Sequence, residues 1–166
     1  MPKRTESEAM RNINLIVVHC SATREDKSFT EFDLDDCHRR RGFNGAGYQF
    51  FISAKNGDIK STRAVEKNRG RTPKVLIRRA SAFVMRAGST AKGSPKTPVP
   101  EWQKHSLRVL ILTLLRDYPG CRVCGHRDLS PDLNGNGEIE PEEWVKACPC
   151  FEVNAEFGSP GKSVVI

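Results

Sequence analysis

A long apolar run is missing from this 166-residue chain. No segment approaches the roughly 20 consecutive apolar residues that a membrane-spanning helix needs. The first apolar segment, Ile13 to Val18, is short and is interrupted by Asn14, so the chain also lacks the apolar core of a signal peptide. We therefore expect a protein with no membrane span that is synthesised in the cytoplasm.

Aromatic residues are scarce as well, at 7% of the chain, and this leaves few rings on which nucleic-acid bases can stack. The net charge of +7 nevertheless invites a nucleic-acid interpretation. The segment 63–100 holds ten Lys and Arg residues and one acidic residue, and its charge of +9 leaves −2 for the rest of the chain. Because the excess charge is confined to one segment without a recognition motif, a nucleic-acid-binding protein is the third alternative.

The chain also lacks the features of a small disulfide-rich secreted protein, since it is long enough to bury a core and has no secretory signal. Its cysteines are therefore expected to be free thiols or metal ligands: Cys20, Cys37, Cys121, Cys124, Cys148 and Cys150. A zinc ribbon built from the last four is an alternative. It is disfavoured because Cys121-Arg-Val-Cys124 has no turn-forming residues, and residues three apart on a strand face opposite sides.

Apolar periodicity predicts an α/β fold, a single domain with a mixed central β-sheet flanked by helices. Clusters of β-branched and apolar residues predict strands at Ile13–Val18, Tyr48–Ile52 and Cys121–Cys124. Helical spacing predicts helices at Thr30–Arg41, Trp102–Tyr118 and around Glu142–Ala147, with Thr30 suited to an N-cap. A turn at Lys55–Asp58 predicts a hairpin, and an apolar alternation at Ala82–Met85 offers one further strand.

Two histidines follow predicted strands, His19 after the first and His126 after the last. Sites in α/β proteins gather at such strand ends, and a catalytic zinc needs three protein ligands with an open fourth position. Cys148 or Cys150 can supply the third ligand. A lone histidine at a strand end is more often structural, however, so these placements alone do not establish a metal site.

Four motifs that occur in a fixed order change this weighting. They are Val17-Val-His-Cys-Ser-Ala-Thr23, Gly47-Tyr-Gln-Phe50, Gly125-His-Arg-Asp128 and Lys146-Ala-Cys-Pro-Cys-Phe151. Together they resemble the type-2 N-acetylmuramoyl-L-alanine amidases, the family that contains the phage amidase-lysozymes and the peptidoglycan recognition proteins. The resemblance covers residues 12–62 and 101–154.

The resemblance implies a zinc hydrolase that cuts the amide between N-acetylmuramic acid and L-alanine in peptidoglycan. At the matching positions the zinc ligands are His19, His126 and Cys148. The family motif C-P-x-F selects Cys148 and leaves Cys150 as a buried thiol. Bound zinc lowers the pKa of water towards about 7 and polarises the scissile carbonyl.

The resemblance also implies two catalytic side chains, Tyr48 and Lys146. The Lys146 ammonium would stabilise the developing oxyanion, and Tyr48 would orient the attacking water or assist proton transfer. The alternatives are a solvated lysine and a tyrosine of the core or its rim. Gln49 is a departure, because many relatives have histidine at that position.

The resemblance divides the chain into a polar leader at 1–11, an amidase domain at 12–154 and a C-terminal tail at 155–166. Within the domain, residues 69–100 lack the family's central-strand motif and its active-site histidine. Codons for these residues can spell that motif when they are read in a shifted frame. We hypothesise that 69–100 are read out of frame, so the activity of this exact chain is open until the nucleotide sequence is known.

The expected partner is peptidoglycan or a muropeptide, reached after release from the cell that makes the protein, as suits a phage or prophage endolysin. Neither nucleic acid nor membrane is an expected partner, and the protein is expected to be a monomer. A catalytically impaired, zinc-binding peptidoglycan-recognition module is the main alternative. The intact Cys148 argues against it, because non-catalytic relatives commonly lose that ligand.

A second metal motif occupies residues 132–143 and matches the EF-hand calcium-loop pattern at every specified position. The predicted calcium ligands are Asp132, Asn134, Asn136, the backbone carbonyl of Glu138, Glu140 and Glu143. No convincing helix precedes the loop, so a paired EF-hand is not expected. The choice lies between one structural calcium ion that braces the stretch between His126 and Cys148 and a polar loop rich in turn formers.

Overall fold

A computed structural model of the chain describes residues 13, 15–20, 28–43, 45–63, 80–85, 99–145 and 153. Its strands are β1 (Leu15–Cys20), β2 (Phe50–Ile52), β3 (Ile59–Ser61), β4 (Ala80–Met85) and β5 (Arg122–Gly125). Its α-helices are α1 (Glu31–Arg40) and α2 (Glu101–Asp117), and two 3-10 turns span His126–Leu129 and Pro141–Glu143. No helix in this part of the chain is long and apolar enough to cross a membrane.

The five strands form one sheet in the order β3-β2-β4-β1-β5. β3 is antiparallel to β2, and the other three pairs of neighbours are parallel. The antiparallel pair is the hairpin predicted at Lys55–Asp58, since antiparallel strands can be joined by a tight turn. The predicted α/β class with a mixed central sheet is confirmed.

The centre of the sheet is β4, which lies between β1 and β2. Its backbone pairs with β1 in parallel register from Leu15 opposite Ala80 to Cys20 opposite Met85. The apolar alternation at 82–85 is thus part of a strand, although it belongs to the segment 69–100 that departs from the family motif. Residues 69–79 and 86–98 lie outside the described residues, and the reading-frame hypothesis stays a prediction.

One face of the sheet is covered by α2, on the apolar side that its leucine spacing predicts. Leu107 and Ile111 are fully buried and belong to the main core cluster, together with Ile16 and Val18 of β1. Val123 of β5 belongs to the same cluster. The α2 face therefore carries most of the apolar burial among the described residues.

Two hydrogen bonds attach the first turn of α2 to the end of β2. The indole N–H of Trp102 donates to the carbonyl of Ala54 at 3.0 Å. The buried side-chain amide of Gln103 donates to the carbonyl of Ile52 at 3.1 Å. Because both acceptors are backbone groups just before or within the β2–β3 turn, they fix the position of the hairpin on the helix.

The helix α1 begins where it was predicted to begin. Thr30 and Asp33 form a capping box, in which the Thr30 side chain accepts from the Asp33 amide and the Asp33 carboxylate accepts from the Thr30 amide. On the opposite face of the sheet from α2, Leu34 packs with Ala46 and Phe51 in a second core cluster. The sheet is therefore flanked by a helix on each face.

The predicted helix around Glu142–Ala147 is wrong in its described part. The helical turn is a 3-10 turn at Pro141–Glu143, and Trp144 after it has an extended backbone. The physical reason is that the Val145 amide donates to the hydroxyl of Ser130 at 3.1 Å instead of to a carbonyl one turn back. Residues 146 and 147 lie outside the described residues.

Candidate active site

Two parallel strands bring His19 and His126 together. The register pairs Val18 of β1 with Gly125, the last residue of β5. The next residue on each chain segment is a histidine, so both imidazoles stand at the carboxyl edge of the sheet. Their ring centroids lie 4.6 Å apart, and the His19 side chain is buried.

The chemistry of this pair suits zinc. Imidazole nitrogens bind zinc at about 2.0–2.1 Å, and two rings at this separation can bind one ion between them. The third predicted ligand, Cys148, lies outside the described residues, as do Cys150 and Lys146. Within the described residues no three His, Cys, Asp or Glu side chains are grouped closely enough to hold a metal ion. The described part of the candidate zinc site therefore consists of the two histidines.

Tyr48 lies against the ring of His19. The two ring centroids are 4.9 Å apart in an edge-to-face arrangement. The hydroxyl of Thr62 donates to the carbonyl of Tyr48 at 2.7 Å, and the Thr62 amide donates to the carbonyl of Gln49. Gln49 is fully buried, whereas Tyr48 is half-buried and also packs against the second core cluster, that of Leu34, Ala46 and Phe51. Tyr48 therefore occupies the rim between that cluster and the histidine pair.

The segment that leads towards Lys146 is attached to the turn that carries His126. The guanidinium of Arg127 lies 4.1 Å from the centre of the Trp144 ring, and Arg127 is only 5% exposed. The bond from the Val145 amide to Ser130 adds a second attachment one residue later. The sequence does not predict the contact of Arg127 with Trp144 or that of Ser130 with Val145. In each case the partner is 15 or more residues away, and the residue types alone do not indicate it.

The cysteines of β5 are placed as the strand geometry requires. The Cys121 thiol belongs to the α2-side core and donates to the Ile13 carbonyl at 3.2 Å, whereas Cys124 packs with Val17 on the other face. Burial raises the pKa of both thiols, that of Cys124 to about 12. Among the described residues, Cys37, Cys121 and Cys124 are free thiols. Because Cys121 and Cys124 face opposite sides, they do not form half of a zinc ribbon.

The predicted calcium loop is closed by bonds from its own backbone amides to its first and last carboxylates. Asp132 accepts from the amides of Gly135 and Gly137 at 2.6 and 2.8 Å. Glu143 accepts from the amides of Leu133, Asn134 and Glu140. The bond from Glu140 is the main reason that the pKa of the Glu143 carboxyl lies below its usual range.

The other predicted calcium ligands are also engaged within the loop. The side-chain amide of Asn134 donates to the Glu140 carboxylate at 2.8 Å, and the side-chain oxygen of Asn136 accepts from the backbone amide of Glu138 at 2.8 Å. Gly137 has φ +87°, a conformation that favours glycine, at the sixth position where the EF-hand pattern requires it. The described carboxylates are not grouped as a metal cage, and calcium binding stays a prediction.

His38 is a buried residue near the candidate site that the sequence analysis did not single out. It lies in the last turn of α1, and its Nδ1 accepts a hydrogen bond from the Gly47 amide at 2.8 Å. Its ring centroid is 5.4 Å from that of Tyr48. Helical spacing gave one signal, because His38 is four residues after the buried Leu34 and therefore on the same helix face.

No family model matches the chain. An uncharacterised protein of Haemophilus influenzae is 52% identical over 66 residues, which are 40% of this chain and 57% of that protein, so the match spans little more than half of that relative. The endolysin of Escherichia phage T7 is 26% identical over 150 residues, or 90% of this chain and 89% of the endolysin. The endolysin of Enterobacteria phage T3 is 28% identical over 138 residues, or 83% of this chain and 81% of the endolysin.

Solved structures share the fold over most of the chain. The N-acetylmuramoyl-L-alanine amidase LysC from Clostridium intestinale matches with a TM-score of 0.64 and 23% identity, covering 87% of this chain and 81% of that one. A variant of Drosophila PGRP-LB in complex with tracheal cytotoxin matches with a TM-score of 0.59 and 18% identity, covering 87% and 79%. At these identities the likeness shows the fold, and it confirms the predicted amidase and peptidoglycan-recognition-like architecture.

Proposed function

We propose that this chain, which belongs to the superfamily of N-acetylmuramoyl-L-alanine amidases and peptidoglycan recognition proteins, is a zinc-dependent amidase that cuts the bond between N-acetylmuramic acid and L-alanine. The observation that carries the proposal is the placement of His19, His126 and Tyr48 at one edge of the sheet, with neighbouring ring centroids 4.6 and 4.9 Å apart. The endolysin relatives and the likeness to LysC support peptidoglycan as the substrate.

His19 and His126 would hold the zinc ion together with Cys148. When bound, the ion supplies a Lewis acid that acidifies water and polarises the scissile carbonyl. The protein's own contribution is to fix both imidazoles by the backbone register of two parallel strands. Preorganisation of this kind matters because ligands that are already in place lose little freedom when the metal and the substrate bind.

Tyr48 would act on the attacking water from its position beside His19. Its phenol can accept a hydrogen bond from the water or donate one to a developing oxygen charge. Lys146 would stabilise the oxyanion of the tetrahedral intermediate through its ammonium group. The attachment of residues 144 and 145 to the His126 turn supports this role, because it fixes the chain immediately before Lys146.

The first experiment measures the zinc content of the purified chain and the release of muropeptides from peptidoglycan. The expected result is a single zinc ion per chain and new free amino termini on L-alanine. Zinc without cleavage, combined with binding to insoluble peptidoglycan, would replace the enzyme by a recognition module. Absence of zinc would remove the proposed ligand set.

Matched variants connect the activity to the proposed residues. His126→Ala is expected to lose the zinc, whereas His105→Ala removes an exposed histidine of α2 and is expected to keep both zinc and activity. Tyr48→Phe is expected to keep the zinc and to lower kcat by about 10²- to 10⁴-fold. Tyr118→Phe is the control for the second tyrosine of the chain. Equal losses in Tyr48→Phe and Tyr118→Phe would contradict the role of Tyr48.

A further inference from the structure

We infer that Asp35 and His38 of α1 are positioning residues. They hold the backbone of the two residues that precede Tyr48 in the sequence, and in this way they orient its phenol towards the histidine pair. This inference rests on the proposed function, because Tyr48 is a catalytic side chain only within it. Two hydrogen bonds carry it. The Ala46 amide donates to Asp35 Oδ1 at 2.8 Å, and the Gly47 amide donates to His38 Nδ1 at 2.8 Å.

The two acceptors lie three residues apart on α1, a spacing that puts them on one face of the helix. They receive two consecutive amides of the chain, so they hold one peptide segment at two points. Arg39 donates to the other oxygen of Asp35, and this bond is the main reason that the pKa of the Asp35 carboxyl lies below its usual range. Asp35 is therefore a charged acceptor at neutral pH.

Residues 45–49 lie directly before β2, which begins at Phe50. The two side-chain acceptors of α1 attach the backbone of this segment to the helix just before Tyr48. On the other side of Tyr48 the hydroxyl of Thr62 donates to its carbonyl, which completes the restraint on its peptide units.

His38 also restrains the Tyr48 ring directly. The ring centroids follow one another at 5.4 Å from His38 to Tyr48, 4.9 Å from Tyr48 to His19 and 4.6 Å from His19 to His126. Tyr48 therefore has an imidazole neighbour on the helix side and another on the candidate zinc side. Because His38 is only 8% exposed, a change in its side chain cannot be absorbed by movement into solvent.

The test uses fluorine NMR on protein labelled with 3-fluorotyrosine. The chain has two tyrosines, so Tyr48 gives one of two resonances and Tyr118 serves as an internal reference. His38→Leu removes both the acceptor and the ring and is expected to broaden the Tyr48 resonance while the Tyr118 resonance stays. His38→Asn also removes the ring but retains an oxygen acceptor near the position of Nδ1, so its Tyr48 resonance is expected to stay as sharp as that of the wild type. His105→Leu on α2 is the histidine control.

The kinetic arm separates positioning from general damage. His38→Leu is expected to lower kcat about 10- to 100-fold with KM and zinc content unchanged, and His38→Asn is expected to restore most of the loss.

If His38→Leu does not fold, Asp35→Ala removes the partly exposed acceptor and is expected to change the same Tyr48 resonance. A Tyr48 resonance that stays as sharp as that of the wild type in the folded variant, or equal defects in His38→Leu and His38→Asn, would overturn the inference. A wild-type chain that releases no muropeptide would instead overturn the proposed function, since the fluorine arm still decides the positioning.

Discussion

The guanidinium of Arg127 stacks on the indole of Trp144, 4.1 Å from the ring centre. Arg127 follows His126 directly, and Trp144 lies two positions before Lys146. The contact therefore joins the turn that carries one proposed zinc ligand to the segment that leads to the proposed oxyanion stabiliser. The residues between them, 128–143, are mostly exposed, so this stack and the bond from the Val145 amide to Ser130 hold the two segments together.

Replacing Arg127 by Met removes the cation from this stack. A cation–π contact that is largely desolvated contributes up to about 2 kcal/mol, so we expect a loss of about 1–2 kcal/mol of unfolding free energy in a denaturant titration. Zinc affinity should weaken in the same variant, because the two segments lose their attachment. Arg40→Met is the control, since Arg40 is exposed at the end of α1. Equal midpoints for the two variants would show that the stack contributes nothing.

A side chain added at Gly57 in the β2–β3 turn should destabilise the protein. Its φ is +76°, and an added Cβ would lie 3.0 Å from the Trp102 carbonyl oxygen and 2.8 Å from Ser106 Oγ. Gly42 has a similar φ of +87° but nothing within 4 Å, so Gly42→Ala measures the backbone cost alone, about 1 kcal/mol. We expect Gly57→Ala to cost about 1–3 kcal/mol more than Gly42→Ala in thermal or denaturant unfolding. Equal costs would mean that the turn moves away from α2 without penalty.

Local sequence patterns predicted the elements whose causes are local. Thr30 fixed the start of α1 because its cap needs only Asp33, three residues away. The leucine spacing of α2 predicted both its extent and its buried face. β1 was predicted to end at Val18, yet it continues through Cys20 because β4 pairs with it to that point. The extension depends on a partner strand more than 60 residues away, which no local pattern reveals.

The candidate site was predictable to a similar degree. His19 and His126 could be selected because each follows a predicted strand, and the strand register then explains why their rings are neighbours. The roles of Arg127 and His38 were not predictable, because each depends on a contact made by a loop. The helix expected around Glu142–Ala147 failed for the same reason: the Ser130 hydroxyl accepts from the Val145 amide, which a continued helix would pair with a carbonyl one turn back.

The buried thiol of Cys124 should resist alkylation in the native protein. Thiolates react and thiols do not, and burial raises the pKa of Cys124 to about 12. We expect iodoacetamide at about pH 8 to modify Cys124 only as fast as the protein unfolds, as read by mass spectrometry of the cysteine peptides. Cys37 is half-buried on α1 and is the comparison within the same sample. Modification of Cys124 at the rate of Cys37 would contradict the packing of β5 against Val17.

Calcium should stabilise the loop at 132–143 through Glu143. The low pKa of that carboxyl, due chiefly to the Glu140 amide, keeps it charged at neutral pH, as a bidentate calcium ligand must be. Calorimetric titration of calcium into zinc-loaded protein that has been freed of other metals should give heat of binding and a higher unfolding temperature.

Glu143→Gln should abolish both effects, whereas Glu142→Gln, which changes the exposed neighbour outside the ligand pattern, should preserve them. Because Glu143 also accepts three backbone amides of the loop, Glu143→Gln is compared at equal zinc content and without calcium first. No heat and no stabilisation in the wild type would mean that these bonds alone hold the loop and that the EF-hand pattern is a turn sequence without a metal.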